Sequence, residues 1–182
     1  MALGNNNTGA DKEYVNLKFG KDSNDAPKFI VEEDFKETDA SYKQVGGKLK
    51  SLKATFTPKG GKNKYDTYGV KILLEDETNL ISISTTITNS SKDMLNWLCS
   101  VSVWEEVMLA TWLKGNGFIA SAAIKDPNAT EREDKFYKSF FEWSDDYKAN
   151  FKTLIWNEIN SRAVAEEAPV VKEEINLDSI PF

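Results

Sequence analysis

Short runs in which apolar and polar positions alternate fill much of the chain before residue 126, and a period of two predicts strands with one buried face. Residues 14–19 (YVNLKF) and 28–31 (KFIV) predict two short strands joined by GKDSNDAP. The next stretch, EEDFKETDAS, is polar and reads as a connection with room for a helical turn. Residues 48–57 (KLKSLKATFT) form a longer β-prone run that stops at the turn-forming cluster PKGGKNK. Residues 65–75 (YDTYGVKILLE), a tight turn at 76–79 and residues 80–88 (LISISTTIT) then predict a hairpin. Closing it symmetrically pairs Leu74 with Ile81, Ile72 with Ile83, Val70 with Thr85 and Tyr68 with Ile87. Directly opposed residues share a face, so this face is the inward one. The outward face carries Thr67, Gly69, Lys71 and Leu73 opposite Ser82, Ser84 and Thr86, and Tyr65 has the same parity.

At residue 90 the period changes. Ser90-x-x-Asp93 opens an apolar run, Met94, Trp97, Leu98 and Val101, which predicts an N-capped helix of about three turns. Residues 107–114 (VMLATWLK) and 118–125 (FIASAAIK) flank Gly115-Asn116-Gly117, a strong hairpin signal. A two-residue loop at either Gly-Asn or Asn-Gly sets the same parity. Val107, Leu109, Thr111 and Leu113 then share a face with Phe118, Ala120, Ala122 and Ile124, while Trp112 and Lys114 share the other with Ile119, Ser121 and Lys125. Across residues 131–163, Phe136, Phe140, Trp143, Tyr147, Phe151 and Leu154 recur at steps of three and four, which predicts one helix, or two if Ser144-Asp145-Asp146 caps a second. Such an aromatic stripe is expected to be packing surface, against the strands or in a homo-oligomer contact. Residues 1–13 and 164–182 read by composition as disordered flanks of a single domain at 14–163.

Composition removes several classes of protein. The chain has 182 residues and is 40% hydrophobic, enough for one core. The longest uncharged stretch, residues 78–91, has 14 residues, whereas a membrane-spanning helix needs about 20 apolar ones. The first residues lack the basic and apolar regions of a secretory signal. There is no histidine, and Cys99 is the only cysteine. Disulfide scaffolds, Cys/His zinc sites, Ser-His-Asp triads and Cys-His dyads are thereby excluded. Cys99, in NWLCSV, reads as a small buried side chain, and a lone thiol fits a reducing cytoplasm. Gly60-Gly61-Lys62 lacks the spacing of a phosphate-binding P-loop. Glu105-Glu106 and Asp145-Asp146 are adjacent pairs that do not converge, so no catalytic site, metal or cofactor is expected.

The net charge of -6 conceals a segregation. Residues 43–71 hold eight lysines and one acid, Asp66, whereas residues 166–182 hold five acids and one base, Lys172. The lysines cluster around one glycine-rich turn. Between residues 47 and 125 the order is strand, strand, strand, helix, strand, strand. That order is expected of an OB-fold, a five-stranded partly open barrel with a helix between its third and fourth strands, here with N-terminal strands and a C-terminal helical extension. Such barrels bind oligonucleotides across the second and third strands, between the first and last hairpin loops. Here those loops are PKGGKNK and KGNG. The chemistry fits single-stranded DNA: lysines neutralise phosphates, and outward rings give each base a face to stack on. Lys53, Lys59, Lys62, Lys64, Lys71 and Lys114 are the phosphate candidates, and Tyr65 and Trp112 the stacking candidates. Trp112 has an equal competing reading, as a ring covered by the C-terminal helix. Tyr68, Phe56 and Trp97 are expected in the core. With only two arginines, Arg132 and Arg162, the usual bidentate reader of guanine is scarce, which favours binding without sequence preference.

The last residues, Glu173-Glu174-Ile175-Asn176-Leu177-Asp178-Ser179-Ile180-Pro181-Phe182, resemble the C-terminal tip of bacterial and phage single-stranded DNA-binding proteins. In that family an acidic segment ends in a hydrophobic residue, Pro and Phe, and docks into basic, apolar pockets of replication, recombination and repair proteins. The resemblance implies that Asp178, Ile180, Pro181 and Phe182 bind such partners. Ser179 and Asn176 interrupt the acidic part, and the helices at 131–163 depart from the family's barrel-plus-linker plan, as in a divergent, phage-type member. The expected function is therefore non-catalytic, sequence-independent binding and protection of single-stranded DNA, with the tip recruiting partners. The alternative is a replisome adaptor whose barrel binds protein.

Overall fold

A computed structural model describes residues 12–22 and 24–166. Its strands are β1 (Glu13–Lys21), β2 (Pro27–Glu33), β3 (Lys36–Tyr42), β4 (Gln44–Thr57), β5 (Thr67–Glu75), β6 (Asn79–Thr86), β7 (Glu106–Leu113) and β8 (Ile119–Ile124). Its helices are α1 (Lys92–Leu98), α2 (Arg132–Lys135) and α3 (Asp145–Glu166). The strands form one mixed sheet in the order β3-β2-β1-β6-β5-β4-β7-β8, parallel only between β1 and β6. The sheet curls far enough for β2 to approach both β4 and β7, making a barrel-like half-cylinder.

β4 makes the curl. Its first half pairs with β7 and its second half with β5. Gly47 lies where the two pairings meet, and an added Cβ there would sit 2.8 Å from the Glu75 carbonyl oxygen, so no side chain fits. A β-bulge follows between Leu49 and Ser51, and bulges increase local twist. The predicted β5–β6 register holds throughout: Leu74 faces Ile81, Ile72 faces Ile83 and Val70 faces Thr85, and the Ile87 amide donates to the Tyr68 carbonyl. Leu17, Phe29, Leu49, Ile72, Leu74, Ile83 and Leu109 fill the concave side. α1 adds Met94, Leu95 and Leu98, and α3 adds Tyr147, Phe151, Ile155 and Ile159 at four-residue steps. Cys99 joins this core, and burial pushes its thiol up to about 12.

Four expectations need correction. The EEDFKETDAS connection is largely the third strand, β3. Asp34 and Phe35 form its two-residue turn, both with positive φ (49° and 63°), the geometry that usually selects Asn-Gly. β3 is polar because it is a sheet edge, where charge discourages further pairing. α1 has seven residues, shorter than predicted, and begins after Ser91 rather than Ser90. The Ser91 hydroxyl donates instead to the Thr86 carbonyl (2.7 Å), bracing the turn that leaves β6.

The β7–β8 loop has three residues, 115–117, with Gly117 at φ 78°. That single extra residue reverses the predicted pairing of faces: Trp112 lies opposite Ala120, Ala110 opposite Ala122, and Thr111 opposite Ser121. Finally, residues 136–143 are not helical. The Lys125 amide donates to the Lys135 carbonyl and the Tyr137 amide to the Ala123 carbonyl, so this segment satisfies the open edge of β8. The alternative of a separate second helix holds, since the Ser144 hydroxyl accepts from the Tyr147 amide at the start of α3. α3 runs on to Glu166, past the predicted boundary at 163. Among the described residues no helix is long and apolar enough to cross a membrane. The predicted tip residues Asp178, Ile180, Pro181 and Phe182 lie outside the described residues.

Candidate nucleic-acid interface

The outward face of the curl is polar where it crosses β4, β5, β6 and β1. Strand register places its residues in rows. Lys53 pairs with Lys71, Lys71 with Ser84, and Ser84 with Lys18, so one row crosses four strands. The next row toward the β4–β5 loop is Thr55, Gly69 and Thr86, and the next is Thr57 and Thr67. All of these but Lys53 line a groove of about 390 Å³, together with Phe19, Glu32, Val70 and Thr85. Gly69 lies in the middle of it. A Cβ there would meet the Thr55 hydroxyl at 2.5 Å and the Thr85 carbonyl oxygen at 3.1 Å, so the absence of a side chain keeps the groove floor low.

Like charges directly opposed across an antiparallel pair are destabilising. Lys53 and Lys71 are exposed and, among the described residues, neither has an acidic partner within 4.0 Å. Lys18 at the end of the row pairs with Glu37 at 2.5 Å. Beyond Thr57 the chain enters the β4–β5 loop, where Lys59, Lys62, Lys64 and Tyr65 are all exposed, with Tyr65 at 78%. This loop is more ordered than its glycines suggest. Gly60 and Asn63 exchange backbone hydrogen bonds around Gly61 (φ 56°), and the Lys59 amide donates to the Asp66 carboxylate at 2.7 Å.

The other two candidates are placed elsewhere. Trp112 and Lys114 sit at the tip of the β7–β8 hairpin, which register puts at the opposite end of β4 from the lysine-rich loop. Trp112 stays 42% exposed, while α3 packs on β4, β5 and α1. Phe56 and Tyr68, expected in the core, meet the Trp156 ring of α3 edge to face on the inward face, and the Trp156 indole donates to the Thr55 carbonyl. Phe56 nevertheless keeps 46% exposure. Trp97 is half-buried against Phe136 and donates to the Ser139 hydroxyl.

Thus the structure brings Lys53, Lys71, Lys59, Lys62, Lys64 and Tyr65 to one face and its loop, and separates Trp112 and Lys114 from them. Sequence reasoning missed Lys18. Its outward parity is visible in YVNLKF, but the parallel pairing of β1 with β6 that brings it to the groove leaves no local signal. Among the described residues no cluster of acidic, Cys or His side chains is placed to hold a metal ion. Compared with protein-family models, with curated proteins and with solved structures, the chain matches none of them.

Proposed function

We propose that the protein binds single-stranded DNA without sequence preference, along the outward face of β4–β6 and the β4–β5 loop. The Lys53–Lys71 opposition is the observation that carries this: two unpaired cations in direct register destabilise the sheet and are relieved by a polyanion lying across them. The glycine-floored, threonine-lined groove beside them leaves room for a sugar-phosphate backbone, and Tyr65 offers a stacking face worth about 1–3 kcal/mol per base. The five strands β6-β5-β4-β7-β8, with α1 joining β6 to β7, have the order expected of an OB-type barrel, extended here by a hairpin through β1. Recruitment of replication or recombination proteins by residues 173–182 rests on the resemblance of that segment alone.

Titration with oligo(dT) at low salt tests the proposal. Binding should quench tryptophan fluorescence, and Lys53→Glu with Lys71→Glu should weaken it at least tenfold without lowering thermal stability. Absence of binding by the wild-type protein, or equal affinity in the double variant, would overturn it. A protein-binding adaptor would give the first of these results.

A further inference from the structure

A second groove lies away from the lysine row, between the β7–β8 turn, α1 and residues 136–143. Its volume is about 640 Å³. Lys92, Lys114 and Arg132 line it against a single acid, Asp93. The groove beside Gly46 and Gly47 is different: Glu75, Asp76, Glu77 and Glu106 outnumber its three lysines. Rings accompany the cations. Phe118 is 70% exposed and Trp143 62% exposed, and both line the groove. The Lys92 ammonium stands 4.9 Å from the centre of the Trp143 ring.

The walls are held from behind. The Asn96 carboxamide is bonded to both backbone groups of Phe141, and the Trp97 indole is fixed by Ser139. The rings therefore stand on a supported frame. The three-residue β7–β8 loop puts Lys114 and Phe118 directly across from each other, the Lys114 amide donating to the Phe118 carbonyl at 2.8 Å.

The two grooves are neighbours along the chain. Thr86 lines the first and Asn89 the second. They are three positions apart, at most about 11 Å of extended backbone. Ser91 braces that short connection through its bonds to Thr86 and Thr88.

We propose that this groove is a second subsite for single-stranded nucleic acid, taking the strand as it leaves the β4–β6 face past Thr86. Phosphates meet Lys92, Lys114 and Arg132, and a base stacks on Trp143 or Phe118. The subsite rests on the single-strand reading of the sheet face and extends its path. It accounts for the placement of Lys114 and Arg132, which the sheet face alone leaves without a role.

Length dependence separates the two. Labelled oligo(dT) from about six to thirty nucleotides is titrated by anisotropy, and the number of nucleotides occluded per protein is measured on poly(dT). The variants are Arg132→Glu and the double Phe118→Ala/Trp143→Ala, whose side chains are largely outside the core. Both variants should bind the shortest oligomers as the wild type does, bind the longest about tenfold more weakly, and occlude fewer nucleotides. Wild-type affinity at every length with an unchanged occluded length would overturn the second subsite. Binding by the wild type that Lys53→Glu/Lys71→Glu leaves intact at every length would remove the sheet face instead. A wild type that binds no oligomer removes both.

Discussion

Asn96 is 4% exposed and uses both ends of its carboxamide on Phe141, donating to the carbonyl at 3.0 Å and accepting from the amide at 2.8 Å. Apolar substitution there would bury two backbone groups without partners, each at a cost of about 1–3 kcal/mol. Asn96→Leu is therefore expected to lose about 2–4 kcal/mol in urea unfolding despite its similar branched shape. A loss below about 0.5 kcal/mol would show that water reaches the Phe141 backbone. The residue hides in the sequence. Asn96 stands between Leu95 and Trp97 inside an apolar helix, and its partner is 45 positions away. Lys53 and Lys71 are legible by contrast, because parity alone turns them outward once β4 and β5 are assigned.

At the level of elements, legibility follows how local the deciding interaction is. The β5–β6 register can be read because a short turn, closed by Asp76 and Asn79, leaves a single parity that buries the isoleucines. The β7–β8 hairpin differs by one residue of loop, a choice Gly-Asn-Gly permits equally well, and every face assignment inverts with it. Residues 136–143 carry a helical spacing of aromatics, yet the unpaired edge of β8 takes their backbone instead, a demand set by residues more than ten positions earlier.

The N-terminal hairpin shows a similar long-range tie. The Glu75 carboxylate at the end of β5 accepts from Lys12, just before β1, and from Lys50 of β4, each at 2.5 Å. Lys12 first and Lys50 second hold its pKa down, from 4.5 to about 2. The native state favours the charged carboxylate, so this contribution is complete above about pH 4.5 and fades as the pH falls toward 2. Glu75→Gln should accordingly melt at a lower temperature than wild type at pH 6, with the gap closing between pH 4.5 and 2. A gap that persists unchanged at pH 2 would show that shape, not charge, is what Glu75 supplies.

For the whole molecule the central tension is that a chain of net charge -6 is proposed to hold a polyanion. Distance resolves it. Charges farther away than a Debye length, about 10 Å at 0.1 M salt, are largely screened, whereas lysines touching phosphates act by releasing counterions from the strand. Near physiological salt the local lysines should dominate. The five lysines of the sheet face and its loop, Lys53, Lys59, Lys62, Lys64 and Lys71, would give a slope of log affinity against log salt of about -3.5, and Lys92, Lys114 and Arg132 of the second groove would bring it to about -5.6 at most, at roughly -0.7 per phosphate contact on a single strand. Below about 0.01 M the Debye length reaches about 30 Å, the dimension of the domain, and repulsion from the acidic remainder joins in. The plot should therefore be straight and steep above about 0.1 M and flatten at low salt, while Lys71→Glu makes the straight part shallower by about 0.7. A slope near zero throughout would leave ring stacking as the whole of the affinity and remove the lysine row from the site. A line equally steep at both ends would show that the acidic charge lies too far from the bound strand to be felt.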